Sequence, residues 1–401
     1  MSCMDFDYSN QQRQIRETAR KFADENIRPF AGEWDRRAEF PIDLIPKLAK
    51  MDYMAPIVPE KYGGSGLDWI SYAILTEEIN AACSSVRTLM SVHAGLIASS
   101  IMQWGNEEQK EYFLPKLVNA DLIGCFGLVE SDAGSWTVNI QTRVVEDGDD
   151  IIVNGTKTWI SNGQLMNLAL IFGTTNPSLK HKGIVAFLVE KGTEGFSVGQ
   201  DLPKMGAKAN HATELVLENC RIPKKNVLGG FGNGFKVAMT ALDNGRYSVA
   251  AGAVGVAQEC LDISIKHANE RVTFGVPIAE HQLIRQKIAR MATDIDMARL
   301  LVFRAGHMKD KGVRNTRETS MAKWFATEMA NKATYEAIQI LGANGYSTSY
   351  PIERMYRDIR VTSIYEGTSE IQQLIISGYD LGITVDRDIP GLRVKRPWES
   401  I

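Results

Sequence analysis

The order of hydrophobic periodicities along the chain most constrains its fold, because helical and strand spacing bury different sets of residues. Up to about residue 120 the apolar residues recur at helical spacing, and short β-rich runs then replace them. Helical spacing returns after about residue 230. We therefore predict an α+β fold in which the units follow the order helices, strands, helices. No long linker rich in Pro, Gly or Ser separates these units, so we expect them to pack together.

These changes of pattern place the expected boundaries between units. We predict an N-terminal helical domain at residues 1–120, a middle β domain at 121–230, a C-terminal helical bundle at 231–385 and a C-terminal tail at 386–401 lying on a neighbouring surface. The total of 401 residues suits more than one unit, because a single hydrophobic core stops growing at roughly 250–300 residues.

The first helical unit has a recognisable start. Ser9 and Gln12 have the spacing of a capping box, which marks the first turn of a helix. Apolar residues then follow at helical spacing before Pro29, namely Ile15, Ala19, Phe22 and Ala23. The stretches PIDLIPKLAKM (41–51) and EEQKEYFLPKLVN (107–119) predict further helices.

The middle unit contains β-rich runs. DGDDIIVNGTKTWIS (147–161) holds an Asn-Gly pair, for which we predict a hairpin turn, and KGIVAFLVEKG (182–192) and TELVLENCRIP (213–223) predict further strands. The glycine cluster GGFGNGF (229–235) lacks G-x-G-x-x-G spacing and is interpreted as a loop between units rather than a dinucleotide site. Helical runs are predicted from about 235 to 308 and from about 318 to 342.

Charge, cysteine and histidine patterns exclude several kinds of partner. The chain has 45 Lys and Arg against 48 Asp and Glu, a net charge of −3, so no positive field favours nucleic acid or an anionic membrane. Its 5 cysteines form no C-x-x-C pair and its 6 histidines never have metal-ligand spacing, which predicts no metal site and a reduced, cytoplasmic location. No run of about 18 apolar residues predicts a membrane span.

The stretch IYEGTSEIQ (364–372) leaves two interpretations of Glu366 open. Ser369 and Gln372 match a capping box, which predicts a helix from about Glu370 with Glu366 just ahead of it. Glu366 is then a surface acid that stabilises the helix dipole. Alternatively, apolar neighbours such as Ile364 enclose it, raise its pKa and make it a base. The local pattern does not choose between them.

Five segments in this order resemble the acyl-CoA dehydrogenase family, and the likeness runs from about residue 5 to 385. They are GLVESDAGS (127–135), KTWISNG (157–163), RVTFGVPIAEHQ (271–282), QILGANGY (339–346) and YEGTS (365–369). The resemblance implies an α-helical N-terminal domain, a β-barrel-like middle domain and a four-helix C-terminal bundle, in a homotetramer. This architecture agrees with the predicted order of units.

The resemblance also implies a reaction. Glu366, within YEGTS, takes the α-proton of an acyl thioester, and a hydride passes from the β-carbon to N5 of FAD. A backbone N–H of the glutamate and a ribityl hydroxyl polarise the thioester carbonyl. Gly367 allows the backbone to approach the ligand because it has no side chain. An electron-transferring flavoprotein is the implied electron acceptor.

Residue by residue, the resemblance transfers two sets of binding roles. Trp159 and Ser161 lie against the isoalloxazine, and Arg271 binds the pyrophosphate of a neighbouring subunit's FAD. The full FAD set comprises Phe126, Leu128, Val129, Gly134, Ser135, Trp159, Ser161, Arg271, Thr273, Phe274, Gln282, Gln339, Gly342, Thr368 and Glu370. The substrate set comprises Arg87, Ser91, Ser135, Asp243, Arg246, Tyr365 and Gly367.

The acyl group is suggested by SSVRTLMSVHAGL (84–96), which resembles the glutaryl-CoA dehydrogenase branch. There an arginine at the position of Arg87 binds the distal carboxylate of a dicarboxylic acyl group, for which its planar fork is suited. The alternative is a structural ion pair for Arg87. His93 is expected to be a satisfied core histidine. Gly245 stands where other branches carry the catalytic glutamate, so Glu366 has no rival there.

Other functions remain open on the same scaffold. The Arg87 pattern also resembles dehydrogenases of malonyl-type groups on acyl carrier proteins. A flavin-dependent oxidase or monooxygenase is disfavoured by YEGTS, because members with that chemistry often lack its glutamate. A non-catalytic assembly partner is disfavoured by the intact cofactor segments. The expected partner is thus an acyl-CoA or acyl-carrier-protein thioester.

Overall fold

The computed structural model describes residues 7–383, and the predicted tail at 386–401 lies outside the described residues. The N-terminal helices are α1 Asn10–Asn26, α2 Ala31–Arg37, α3 Ile45–Lys50, α4 Trp69–Ala82, α5 Ser84–Met90, α6 Ser99–Trp104 and α7 Glu107–Val118. A π-helical stretch, Ser91–Ala98, joins α5 to α6. The capping box predicted at the start of α1 is confirmed, because Ser9 and Gln12 exchange side-chain and backbone hydrogen bonds.

The middle unit is a mixed sheet. Its strands are β1 Gly124–Gly127, β2 Arg143–Asp147, β3 Asp150–Ser161, β4 Leu168–Thr174, β5 Ile184–Glu190, β6 Phe196–Asp201, β7 Ala212–Pro223 and β8 Val227–Leu228. They pair in the order β6-β7-β3-β2-β4-β5-β8, and β1 adds to β4 in parallel. The sheet is open, so the middle unit resembles a barrel only loosely.

The sheet is covered on both faces, which explains why β4 and β5 are apolar along their whole length. One set of alternating residues, including Leu168 and Leu170 of β4, belongs to an apolar cluster that also contains residues of α6, of α7 and of the helix Gly234–Glu270. The intervening residues, including Ala169 and Ile171, join a second core formed by the strands themselves. The middle unit is thereby fixed against the helices that border the candidate site.

The hairpin turn predicted at Asn154-Gly155 is wrong. Both residues lie inside β3, and the chain reverses instead between β2 and β3, where Asp147 pairs with Asp150. β3 runs on because β7 pairs with it across a register shift near Gly155. Glycine is needed there for packing, since a Cβ would lie 2.5 Å from Thr142 Oγ1.

The C-terminal unit is mainly long helices. They are α8 Gly234–Glu270, α9 Gln282–Asp310, α10 Thr316–Leu341, α11 Ala343–Tyr346, α12 Ile352–Ile359 and α13 Ser369–Asp380. The helical run predicted from 235 to 308 contains two helices, because the hairpin β9 Val272–Thr273 and β10 Val276–Pro277 divides α8 from α9. Phe274 and Gly275 adopt left-handed φ values of 52° and 82° at its turn. The glycine cluster before α8 forms the predicted loop.

Helix α8 is the central element of the structure. Its buried residues pack against α4, α9 and α10 in the largest apolar cluster. It is long and apolar enough to cross a membrane by composition, and 72% of the relevant window is buried inside the protein. That burial is typical of a core helix.

The helix cap predicted near residue 369 is displaced by one residue. Thr368 is the N-cap of α13, and its hydroxyl accepts a hydrogen bond from Ile371 N at 3.3 Å. Ser369 is already helical, and its hydroxyl donates to Glu328 Oε1 at 2.5 Å. The pattern of small hydroxyl residues did not distinguish the two positions, because both fit the cap spacing within one residue.

Candidate active site

A cavity of about 2150 Å³ opens between the three units. It is lined by most of the residues that the sequence predicted for cofactor and substrate, which come from all three units. They are Arg87, Ser91, Phe126, Leu128, Val129, Gly134, Ser135, Trp159, Ser161, Asp243, Arg246, Tyr365, Glu366, Gly367 and Thr368. Residues from segments far apart in sequence therefore meet at one site.

Glu366 is held in a strained and largely enclosed position. Its backbone has a left-handed φ of 53°, and its Oε2 is buried without a hydrogen-bond partner among the described residues. Burial raises the pKa of Glu366 to about 7, although Arg87, Arg246 and Lys323 favour the charged form. Such surroundings differ from those of an exposed acid at a helix N-terminus.

Three donors hold the backbone carbonyls of residues 366 and 367. Arg246 Nε donates to Glu366 O at 3.1 Å. Gln372 Nε2 donates to Glu366 O at 3.2 Å and to Gly367 O at 2.9 Å. Lys323 Nζ donates to Gly367 O at 2.7 Å. The Glu366 N–H donates to no residue that the structure describes, so it remains available to a ligand.

Gly245 of α8 leaves room for the Glu366 carboxylate. A Cβ at Gly245 would lie 1.8 Å from Glu366 Oε2, far inside van der Waals contact. Gly245, the position at which no second candidate base was predicted, therefore faces Glu366 itself. A side chain at residue 245 and the present carboxylate position exclude each other.

Arg87 lies buried on α5 and lines the cavity. Its Nη2 donates to the Tyr365 hydroxyl at 2.5 Å, and its Nε donates to Asn80 Oδ1 at 3.4 Å. Among the described residues no carboxylate lies within ion-pair distance of its guanidinium. The alternative of a structural ion pair is therefore not what the structure shows.

Two neighbours of Arg87 were also interpreted from the sequence. Ser91 lines the cavity and its hydroxyl hydrogen-bonds that of Ser248. His93 is a satisfied core histidine, as predicted, since Nε2 contacts Leu117 O at 2.8 Å and Nδ1 accepts from Gly124 N at 3.1 Å. Burial lowers the pKa of His93 to about 4, so its ring is neutral at physiological pH.

Asp243 and Arg246 form an ion pair at 2.9 Å on one turn of α8. Asp243 also accepts a hydrogen bond from the Thr316 hydroxyl at 2.6 Å. Nearby, Lys309 Nζ donates to Asn244 Oδ1 at 2.6 Å and lies over the Trp69 ring. This polar group forms the wall of the cavity where α8 meets the connection between α9 and α10.

The middle unit contributes Trp159 through a β-bulge. The register between β3 and β7 shifts between Lys157 and Ile160, and Trp159 has a left-handed φ of 59°. The bulge turns the indole into the cavity, where it is 57% exposed. Across from it, Thr158 N donates to Val129 O at 3.0 Å, which ties the bulge to another predicted cofactor residue.

The remaining predicted residues lie away from the cavity of this chain. They are Arg271, Thr273, Phe274, Gln282, Gln339, Gly342 and Glu370. Most of them are exposed, and Phe274 is 98% exposed at the tip of the β9–β10 hairpin. Within one chain they therefore do not join the site around Glu366. For Arg271, Thr273, Phe274 and Gln282, the role toward a neighbouring subunit that the resemblance implies stays a prediction.

Sequence reasoning missed three polar residues of the site: Lys309, Lys323 and Gln372. Lys323 and Gln372 contact only backbone carbonyls near Glu366, and their partners lie 5 to 44 residues away in sequence. Lys323 is part of an ordinary amphipathic helix, where it gives no local signal. Gln372 was used in the predicted capping box, which concealed its other role.

Sequence profiles of one family match most of the described chain. The acyl-CoA dehydrogenase N-terminal domain matches residues 9–121, the middle domain matches 125–220 and the C-terminal domain matches 232–378. Among curated proteins, the short-chain specific acyl-CoA dehydrogenase, mitochondrial, of Mus musculus is 43% identical over 365 residues, covering 91% of this chain and 89% of the mouse protein.

Solved structures agree with these matches. Butyryl-CoA dehydrogenase from Megasphaera elsdenii is similar with a TM-score of 0.92 and 37% identity, covering 94% of this chain and 100% of that chain. A glutaryl-coenzyme A dehydrogenase in complex with glutaryl-CoA gives a TM-score of 0.92 and 36% identity, covering 95% and 97%. The prolyl acyl carrier protein oxidase AnaB gives 0.91 and 31%, covering 93% and 99%.

Proposed function

The chain belongs to the acyl-CoA dehydrogenase family of FAD-dependent oxidoreductases, and we propose that Glu366 is the base that takes the substrate's α-proton. The proposed substrate is a short dicarboxylic acyl thioester whose free distal carboxylate is bound by Arg87. One observation carries this proposal. The unpartnered carboxylate oxygen of Glu366 and the unpaired guanidinium of Arg87 belong to residues that line the same cavity.

The residues of the cavity fit FAD. Its volume of about 2150 Å³ exceeds that of a drug-sized ligand pocket, roughly 300–1,000 Å³, and leaves room for cofactor and thioester together. The half-exposed indole of Trp159, the Ser161 side chain and Val129 would hold the flavin ring. Gly134 has nothing within 4 Å of an added Cβ, so the backbone there is open. When bound, FAD supplies the redox chemistry by accepting the hydride.

Glu366 has the properties that proton abstraction needs. A pKa of about 7 leaves a useful fraction of carboxylate near neutral pH and makes it a stronger base than an exposed glutamate. The α-proton of a thioester is too weakly acidic for an unaided carboxylate, so the carbonyl oxygen has to be stabilised as charge develops. The free N–H of Glu366 is a donor suited to that oxygen.

Arg87 supports the choice of a dicarboxylic acyl group. A buried guanidinium without an anionic partner is costly, and a ligand carboxylate offsets that cost through charge-assisted hydrogen bonds. The hydroxyl of Tyr365 orients one side of the guanidinium and leaves other N–H groups free. With a purely aliphatic acyl group, the Arg87 guanidinium would have no carboxylate within ion-pair distance and would retain only the longer-range attraction of Glu366.

The test compares glutaryl-CoA with butyryl-CoA, first by the anaerobic loss of oxidised-flavin absorbance and then by steady-state turnover with a dye as electron acceptor. We expect wild type to have the higher kcat/KM for glutaryl-CoA. Arg87→Met should lower kcat/KM for glutaryl-CoA by about 30-fold or more and leave butyryl-CoA nearly unchanged. Arg87→Lys, the matched control, retains the charge but lacks the planar fork, so its loss should be intermediate.

Two results would contradict parts of the proposal. If wild type prefers butyryl-CoA, the dicarboxylate assignment is wrong while the dehydrogenase assignment stands. If neither thioester reduces a flavin that dithionite still reduces, free CoA thioesters are the wrong substrates.

The second candidate is dehydrogenation of an acyl group, malonyl-type or other, carried on an acyl carrier protein. It is favoured by the similarity to the prolyl acyl carrier protein oxidase AnaB over 93% of this chain. Presenting one acyl group on CoA and on a phosphopantetheinylated carrier protein would separate the two candidates. Faster flavin reduction by the carrier-bound form would favour the second.

We also propose the remaining expectations of the sequence. They are an electron-transferring flavoprotein as acceptor, a cytoplasmic location, a homotetramer, and domains at 1–120, 121–230 and 231–385 with a tail at 386–401. The change from α7 to β1 and from β8 to α8 near the two internal boundaries supports the division.

A further inference from the structure

Lys323, on α10, is a fully buried lysine without a carboxylate partner. Its exposed fraction is 0%, and among the described residues no acidic side chain lies within ion-pair distance of its Nζ. The ammonium instead donates to Gly367 O at 2.7 Å, one residue after Glu366. Because burying an unpaired ammonium is expensive, this arrangement calls for a compensating interaction.

Charged groups from four helices surround the Lys323 ammonium and the Glu366 carboxylate. Arg87 on α5 and Arg246 on α8 are the other positive groups that act on Glu366. Glu328 on α10 and Glu370 on α13 act on Lys323, together with Glu366. Arg246 already pairs with Asp243, and Glu328 accepts from Ser369. Arg246 also holds the turn through Glu366 O, whereas Lys323 is the positive group that holds the Gly367 carbonyl.

Glu366 and Lys323 are electrostatically coupled. Burial lowers the pKa of Lys323 to about 8, and Glu366 is the strongest influence that opposes this lowering. Conversely, Lys323 is among the groups that favour the charged form of Glu366. Each group thus makes the charge on the other less costly, although they form no direct ion pair.

We propose that Lys323 is a positioning residue for the base: it fixes the Gly367 carbonyl and supplies a buried positive charge that favours the Glu366 carboxylate. The inference rests on the proposed role of Glu366. Lys323 does not itself line the cavity and reaches it only through its hydrogen bond to Gly367 O, so its effect passes through the 366–367 turn. Without its charge the Glu366 carboxylate is harder to form, and without its hydrogen bond the turn is less well held.

Gln372 provides a matched control, because it also donates to Gly367 O, in addition to Glu366 O, but is neutral. The variants are Lys323→Met, Lys323→Arg and Gln372→Leu, with Glu366→Gln as the reference for loss of the base. For each holoenzyme we would measure the anaerobic rate of flavin reduction by saturating glutaryl-CoA or butyryl-CoA, whichever is faster, from pH 6 to 9. Thermal melting would establish that each variant is folded.

The proposal predicts that losing the Lys323 charge and losing the Gln372 hydrogen bonds change the pH dependence of flavin reduction in different ways. Lys323→Met should shift the rise in rate upward by about one pH unit and slow the reaction about fivefold at pH 7. Gln372→Leu should lower the rate by about threefold to tenfold at every pH without moving the profile. Lys323→Arg should keep the wild-type profile.

A second readout does not depend on turnover. The infrared band of the protonated Glu366 carboxyl, assigned by its loss in Glu366→Gln, should persist to higher pH in Lys323→Met than in wild type. If Lys323→Met keeps the wild-type pH profile and infrared titration, Lys323 does not act on the base and the proposal is wrong. If Lys323→Arg does not fold, Lys323→Met and Gln372→Leu still decide the question. If Glu366→Gln reduces its flavin at the wild-type rate, the proposed base itself is wrong.

Discussion

At the scale of single residues, the structure gives Glu366, in its short turn, properties expected of the proposed base. Glu366 has a left-handed backbone, a carboxylate oxygen without a partner and a pKa raised to about 7 by burial. Each of these features is unfavourable for stability and is held in place by neighbours. Strain that the surroundings maintain is common at catalytic positions.

The raised pKa predicts the pH dependence of the reaction. Since the carboxylate is the active form, kcat/KM should rise with pH and level off above a pKa of about 7. A glutamate with its ordinary pKa of about 4.3 would give a flat profile over the same range. The measurement is kcat/KM of wild type from pH 5.5 to 9, with a thioester that has no titrating group in that range.

Gly245 predicts a second residue-scale effect. Gly245→Ala would place a methyl group where the Glu366 carboxylate now lies, so the carboxylate has to move. We expect flavin reduction to slow by about 100-fold, because small displacements of a reacting group are costly. Gly252→Ala on the same helix is a control for an added methyl group when flavin reduction is followed with butyryl-CoA, since its Cβ would meet Asn80 Nδ2 at 2.8 Å and Arg87 Nε at 3.2 Å rather than Glu366. Equal rates in the Gly245 variant and wild type would contradict the account.

The site residues that the sequence predicted differ from those it did not predict in the kind of contact they make. Glu366 was found because the resemblance assigns a role to its motif, while its local pattern alone allowed a surface acid. Lys323 and Gln372 were missed because they act only through tertiary hydrogen bonds to backbone carbonyls. Any long polar side chain can make such a bond, so the residue type carries no signal.

At the scale of elements, a buried ion pair holds the segment that precedes β2. Glu130 and Lys157 lie 2.6 Å apart and are both buried. Glu130 also accepts hydrogen bonds from Gln141 N, Thr142 N and the Thr142 hydroxyl. The segment between residues 130 and 142 contains Gly134 and Ser135, so the pair fixes part of the cavity wall to β3.

Breaking this pair should destabilise the protein. Lys157→Met leaves the Glu130 carboxylate buried without its cation, which we expect to cost roughly 3–5 kcal/mol. The double variant Lys157→Met with Glu130→Gln should recover part of the loss, because the unpaired charge is gone. Melting temperatures of wild type and the variants with FAD bound provide the measurement. A single variant as stable as wild type would show that the pair does not hold the segment.

Hydrophobic periodicity predicted which helices and strands form better than it predicted the residues at which they begin and end. The patterns placed β7, α7 and α10 correctly because each buries a consistent face, and β5 because its apolar run is continuous. The Asn-Gly pair misled because β3 needs glycine for close packing against Thr142, not for a turn. The break between α8 and α9 depends on a short hairpin whose residues are partly exposed. The hydrophobic spacing does not change there, so it did not predict the hairpin.

At the scale of the whole molecule, part of the predicted FAD set lies outside the cavity. Arg271 and Phe274 are exposed on the β9–β10 hairpin, and Gln339 is exposed near the end of α10. If these residues complete a neighbouring subunit's site, FAD binding and assembly are linked. The resemblance predicted that arrangement, whereas composition and periodicity gave no information about it.

Arg271→Glu tests this link. We expect the variant to bind FAD at least about tenfold more weakly, because a positive partner of the pyrophosphate is replaced by a negative group. Light scattering should give the mass of four chains for the wild-type holoprotein. Lys266→Glu, a charge reversal on α8 outside the predicted set, is the control. Wild-type FAD affinity in Arg271→Glu would contradict a role for the hairpin in cofactor binding.

The central claim is that Glu366 removes the α-proton, and Glu366→Gln tests it most directly. The variant retains the size of the side chain and should still bind FAD. Mixed anaerobically with the thioester that reduces wild type fastest, it should reduce its flavin at least about 1000-fold more slowly while dithionite reduces it normally. Flavin reduction by the thioester at a rate near that of wild type would show that another group is the base.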